Sequence, residues 1–73
     1  MNEPIEICVV TDETSNAQAM YVDEKLEQHD DTIYACDIEI VARNRPILLH
    51  TMNVNLDEES VWPGTLIQCR RFA

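Results

Sequence analysis

Gly64 is the only glycine among 73 residues. Glycine takes positive φ without steric cost, so tight turns and close backbone approaches draw on it. One glycine cannot build G-x-G-x-x-G, a P-loop or the G-x-S-x-G elbow. Chemistries that need a glycine-built phosphate cradle or nucleophile elbow are therefore excluded. Two-residue hairpin turns, which favour Asn-Gly or Asp-Gly, are poorly provided for as well.

A chain this short makes one domain, residues 1–73, and buries only about 60% of the surface its unfolded form exposes. Its apolar fraction, 45%, suffices for a compact core. The aromatic residues are Tyr21, Tyr34, Trp62 and Phe72. A deep substrate cleft would compete with the core for these same side chains. Three cysteines, Cys8, Cys36 and Cys69, cannot all pair within one chain, and none lies in a C-x-x-C. They read as thiols packed as small hydrophobes in a reducing compartment. Zinc sites take ligands in close sequence pairs, which this chain lacks. No metal and no cofactor is expected. The opening MNEPIEI has neither a basic region nor a long apolar run, and no stretch approaches the roughly 20 apolar residues of a membrane span. A cytoplasmic location and no membrane partner are expected.

Charge is the strongest compositional signal. The formal net charge is −9, and residues 1–31 carry nine of the 14 acids against a single Lys25. Such a density of like charge repels nucleic acid and favours a basic protein surface. Arg43, Arg45, Arg70 and Arg71 lie in the other half, where they can pair with these acids within the chain or between copies.

Ile5, Ile7 and Val9 alternate with Glu6, Cys8 and Val10, the period of a strand. Ser15 followed by Gln18 fits a capping box, and good helix formers fill 16–29, with Ala19, Val22, Leu26 and His29 on one stripe. A helix is expected there. The alternative is a hairpin over 19–28 with Asp23 and Glu24 at its tip, which Glu24 fits badly; the helix would then lie at 32–42. In TIYACDIEIVA the β-branched content favours a strand. Arg43 to Pro46 forms a turn. In ILLHTMNVNL, Leu48, His50, Met52, Val54 and Leu56 share one strand face, where His50 reads as a hydrogen-bonded core residue. Pro63 and Gly64 suit the centre of a type II turn, and TLIQCRRF reads as a last strand. The expected fold is α+β: a small antiparallel sheet of three to four strands with one helix on one face, in the order β-α-β-β-β. A small all-β barrel is the runner-up.

No enzyme is expected. In LEQHDD one histidine stands among carboxylates at an expected helix end, a common solvated pattern. NVNLDEES places Asn53, Asn55 and Asp57 as a calcium loop does, but Glu58 and Gly64 stand where that loop needs glycine and glutamate. Trp62 is a large aromatic in a loop, either a lid over the sheet or an interface anchor. The functional reading is a non-catalytic acidic interaction module, binding a basic protein surface through Asp23, Glu24, Glu27, Asp30, Asp31 and Trp62. The alternatives are a homo-oligomer formed through an open sheet edge and a small metal-binding or thiol protein.

Overall fold

The computed structural model describes residues 3–56 and 61–73. Strands β1 (Ile5–Asp12), β2 (Gln18–Val22) and β3 (Lys25–Asp30) come first. Helix α1 (Ala35–Ala42), strand β4 (Ile47–Val54) and a one-turn helix α2 (Leu66–Cys69) follow, with a 3-10 turn over Arg70–Phe72. The sheet order is β3-β2-β1-β4. β1 runs antiparallel to β2 and parallel to β4. The α+β class, the four strands and the packed helix are as expected. The sheet is open, not a barrel, and it is mixed, because the crossover through α1 returns β4 parallel to β1.

β1 is an interior strand, and its two faces are buried separately. Ile5 and Ile7 lie under α1 in a cluster with Met20, Ile33 and Ala42. Cys8 and Val10 join Ala19, Tyr21, Val54, Leu56, Leu66 and Cys69 on the opposite face, beneath the C-terminal segment. An eight-residue helix is about 12 Å long and 10 Å wide, while strands are about 4.8 Å apart. α1 therefore covers β1 and β2 and leaves β4 bare on that side.

The hairpin, not the helix, occupies 18–30, and the helix lies at 35–42. Asp23 and Glu24 both adopt positive φ, 48° and 73°, the mark of a type I′ turn. Surrounding bonds hold this costly conformation: Asp23 N donates to Glu6 O (2.9 Å), and Leu66 N to Glu24 O (2.9 Å). Ser15 and Gln18 do not cap a helix. Ser15 Oγ donates to Asp12, and Gln18 Oε1 accepts from Ile33 N. The segment expected as a strand at 32–42 turns helical after Tyr34, whose N–H donates to Asp37 Oδ2 (2.9 Å). That carboxylate sits in the first turn, where the helix dipole favours it.

The final segment is not a strand. Leu66 and Cys69 are buried and Phe72 packs on the same cluster, a spacing of three that suits a helical turn. Thr65 caps it, its Oγ1 accepting from Gln68 N. No glycine has positive φ, so Pro63–Gly64 is not a type II turn. Their carbonyls instead accept bonds from Tyr21 Oη and Leu26 N. The calcium-loop comparison and part of the expected loop at 57–64 fall on 57–60, outside the described residues.

Asp12 ends β1 fully buried. Its carboxylate accepts from Thr14 N (3.1 Å), Ser15 Oγ (2.8 Å) and Leu56 N (3.2 Å). It thereby ties the β1–β2 loop to the chain leaving β4. Burial pushes its pKa up, but the cover is thin and these bonds outweigh it, so the carboxyl lies below its ordinary value. The bonded, ionised form is thus favoured in the folded state. Its contribution to stability is complete above the unfolded value of about 3.9 and is lost as the pH falls through the lower folded value. Asp12→Asn removes the charge and the Ser15 acceptor; a loss of about 1–3 kcal/mol is expected, with weaker acid dependence, both read by urea denaturation against pH. Glu24→Gly relieves the left-handed strain and is expected to raise stability by about 0.5–1 kcal/mol, measured in the same way.

Candidate functional site

The six expected partner-binding residues fall in three places. Asp23 and Glu24 form the β2–β3 tip, and both are exposed. Glu27 lies on the α1 side, in a shallow depression with Lys25, Val22 and Ile40. Asp30, Asp31 and Trp62 come together. With Ala17, Leu26, His29 and Val61 they line a groove of about 690 Å³.

β3 builds one wall of this groove. It pairs Ala19 with His29 and Tyr21 with Leu26, with a bulge at Met20/Tyr21. Leu26 and His29 therefore face the C-terminal segment, and Asp30 and Asp31 close the end of the wall. LEQHDD is the end of a strand, not of a helix. His29 is exposed, not on a buried helical stripe. Trp62 forms the other wall. It is partly buried, packed against the core cluster of Tyr21 and Leu66, with its remaining surface on the groove. It acts as lid and exposed aromatic wall at once.

The position of Trp62 rests on a relay beneath it. Cys69 Sγ donates to Tyr21 Oη (2.9 Å), and Tyr21 Oη donates to the carbonyl of Pro63, the next residue after Trp62. The relay satisfies a buried phenol, and it anchors the segment that carries Trp62 to the sheet. Burial, then the bond and proximity to Cys69, push the Tyr21 phenol far above its ordinary value. The relay stays protonated at neutral pH.

A second cleft, about 350 Å³, lies on the same face beside β4, lined by Glu6, Cys8, Glu24, His50, Met52, Leu66 and Arg70 among others. Cys8 and His50 are direct partners in the β1–β4 register, an arrangement the sequence did not reveal. His50 is exposed, not a core residue, because the covering segment ends short of it. A nucleophilic site needs a thiolate. Burial, then the neighbouring Cys69, raise the Cys8 pKa against the smaller opposing effect of Arg70. The thiol is therefore held protonated. Cys69 is likewise raised by burial. Among the described residues, no three His, Cys, Asp or Glu side chains converge as metal ligands, and no helix is long and apolar enough to cross a membrane.

No protein-family model, curated protein or solved structure matches the chain.

Cys36 is exposed on α1, whereas Cys8 and Cys69 are buried. Titration of the native protein with a thiol reagent at neutral pH is expected to modify one cysteine quickly and the other two only on unfolding. Raising the pH beyond about 8.5, the ordinary thiol value, is expected to destabilise the fold. The two raised thiols favour folding below that pH and lose this contribution as the pH climbs through their folded-state values.

Proposed function

We propose that this protein is a non-catalytic interaction module that receives a lysine or arginine side chain of a basic partner protein in the Trp62 groove. The observation that carries the reading is the meeting of Asp30 and Asp31 with Trp62, about thirty residues away in sequence. A cation above an indole face is attracted by the ring quadrupole, and about 0.5–1 kcal/mol is usual at an exposed site. Two adjacent carboxylates add Coulombic attraction of similar size. Leu26, Ala17 and Val61 supply apolar surface for the aliphatic stem of such a side chain. The net charge of −9 draws a basic partner in from a distance and disfavours nucleic acid. Asp23 and Glu24 at the hairpin tip extend the acidic character beyond the groove. The protonated thiols and the shallow relief support a role without catalysis.

Trp62 is the only tryptophan, so its fluorescence reports on the groove directly. Titration with a lysine-rich peptide is expected to shift that emission, with affinity falling as salt rises. Replacing Asp30 and Asp31 with Asn should weaken binding about tenfold, or about 1.4 kcal/mol. Neutralising Glu3 and Glu39, which removes the same charge elsewhere, should weaken it much less. Equal losses for the two pairs would show that net charge, not the groove, does the binding.

A further inference from the structure

The two edges of the sheet are built differently. β3 carries Lys25, Glu27 and Asp30, contains a bulge opposite Met20/Tyr21, and is bridged from outside by Thr65. Charge, bulge and cover are the devices by which edge strands avoid pairing with other chains. Among the described residues, β4 has none of the three. Its eight residues, ILLHTMNV, include no Asp, Glu, Lys or Arg, and its register with β1 is unbroken. Leu48 and Leu49 are 50% and 53% exposed.

The ladder shows which backbone groups this edge offers. Ile5 N donates to Pro46 O and Glu13 N to Val54 O, each at 2.8 Å. Even-numbered residues of β4 thus direct their N–H and C=O groups at β1. The N–H and C=O groups of Ile47, Leu49, Thr51 and Asn53 point outward, since the pattern alternates along a strand.

We propose that β4 pairs antiparallel with β4 of a second copy, across a two-fold axis at His50, to make a continuous eight-stranded sheet. Charge favours a second copy as the partner. A chain of net charge −9 repels itself wherever acids line the contact, and β4 is the sheet edge without them. Antiparallel pairing also brings the Arg43–Arg45 end of one strand towards the Glu13 end of the other, so the charges at the rim are complementary. The register follows from the outward groups. A two-fold at His50 sets Ile47 against the second copy's Asn53 and Leu49 against its Thr51, which uses all four outward residues. It also lays Leu48 against Met52 of the second copy. A two-fold one residue further along leaves Ile47 without a strand partner. This surface is separate from the Trp62 groove, which lies at the opposite edge, and it does not depend on the reading of that groove.

Sedimentation across a concentration series is expected to show twice the single-chain mass at high concentration. Thr51→Pro removes an outward N–H that β1 does not use, and prolines of this kind are tolerated on edge strands. It should yield a folded monomer, checked by circular dichroism. Leu49→Lys, at a half-exposed position, should do the same without any backbone change. The variant His50→Cys with Cys8→Ala and Cys36→Ser places two thiols opposite each other at a Cα separation of about 4.5 Å, within disulfide range, and removes the neighbouring thiol of β1. Oxidation should cross-link it into a dimer, whereas Ile67→Cys with Cys36→Ser should not. A monomer at millimolar concentration overturns the proposal. So does a dimer that survives both edge variants without the His50→Cys cross-link. Lysine-peptide binding by Thr51→Pro, followed through Trp62, tests the groove separately and is expected to be unchanged.

Discussion

The constraint on which the rest of this structure depends is that β1 has both of its edges and both of its faces occupied. β2 and β4 pair with it, α1 lies on one side, and the C-terminal segment lies on the other. Ile7 and Val10 are wholly buried, on opposite faces. Full burial of such a side chain contributes about 1.5–3 kcal/mol, and among the strands only its neighbour β2, with Met20 on one face and Ala19 and Tyr21 on the other, is covered as fully. In a domain of this size the helix and the tail each have only one apolar surface to cover. The other elements take positions set by β1, and what they fail to cover becomes surface.

That limited cover explains the groove and the cleft on the face of the C-terminal segment. The C-terminal segment buries Tyr21 and Val54 together with its own Cys69 but stops before His50, which opens the cleft beside β4. At its other end it carries Trp62 over Leu26, which opens the groove with Asp30 and Asp31 on its rim. The Tyr21–Cys69–Pro63 relay fixes this segment at mid-sheet and so sets how far it reaches in each direction. A covering element with two polar anchors is positioned more sharply than apolar packing alone would hold it, because a buried hydroxyl that loses its partner costs about 1–3 kcal/mol.

The legible parts of the fold were those with clean period-two alternation. Ile5 to Val10 and Leu48 to Val54 read as strands and are strands, and the α+β class follows from them. The stretch 16–29 misled because its helix-forming composition agreed with a stripe at steps of three and four, while Asp23-Glu24 lacks the glycine a tight hairpin turn prefers. The chain makes its tight turns without glycine. Asn16, Asp23, Glu24, Arg43 and Asn44 all take positive φ, and tertiary bonds such as Leu66 N to Glu24 O hold the hairpin tip there. Such bonds join residues far apart in sequence, so local propensity carries no trace of them. One local signal was readable: Tyr34 followed by Asp37 is a helix start in which the carboxylate caps the preceding backbone. Of the candidate site, the acids were legible as a charged half. The meeting of Asp30 and Asp31 with Trp62 was not, because the path of the tail across the sheet decides it.

The acids are placed so that the two edges of the sheet have opposite characters. In the first 31 residues five lie at the β2–β3 tip, on β3 or just past it (Asp23, Glu24, Glu27, Asp30 and Asp31), while Glu3, Glu6, Asp12 and Glu13 lie before, along and after β1, so the β3 edge is negative and guarded against strand addition. The chain reaches β4 only after α1, past Arg43 and Arg45, and β4 itself bears no acid. Charge therefore does two things in this molecule. At β3 it prevents backbone pairing while leaving the side chains available to a cation. At β4 the strand carries no such guard, and the proposed pairing of two copies rests on that difference. The asymmetry of composition along the chain thus becomes an asymmetry between the two edges, because the crossover through α1 carries the strand that has no acids to the side of β1 away from β3.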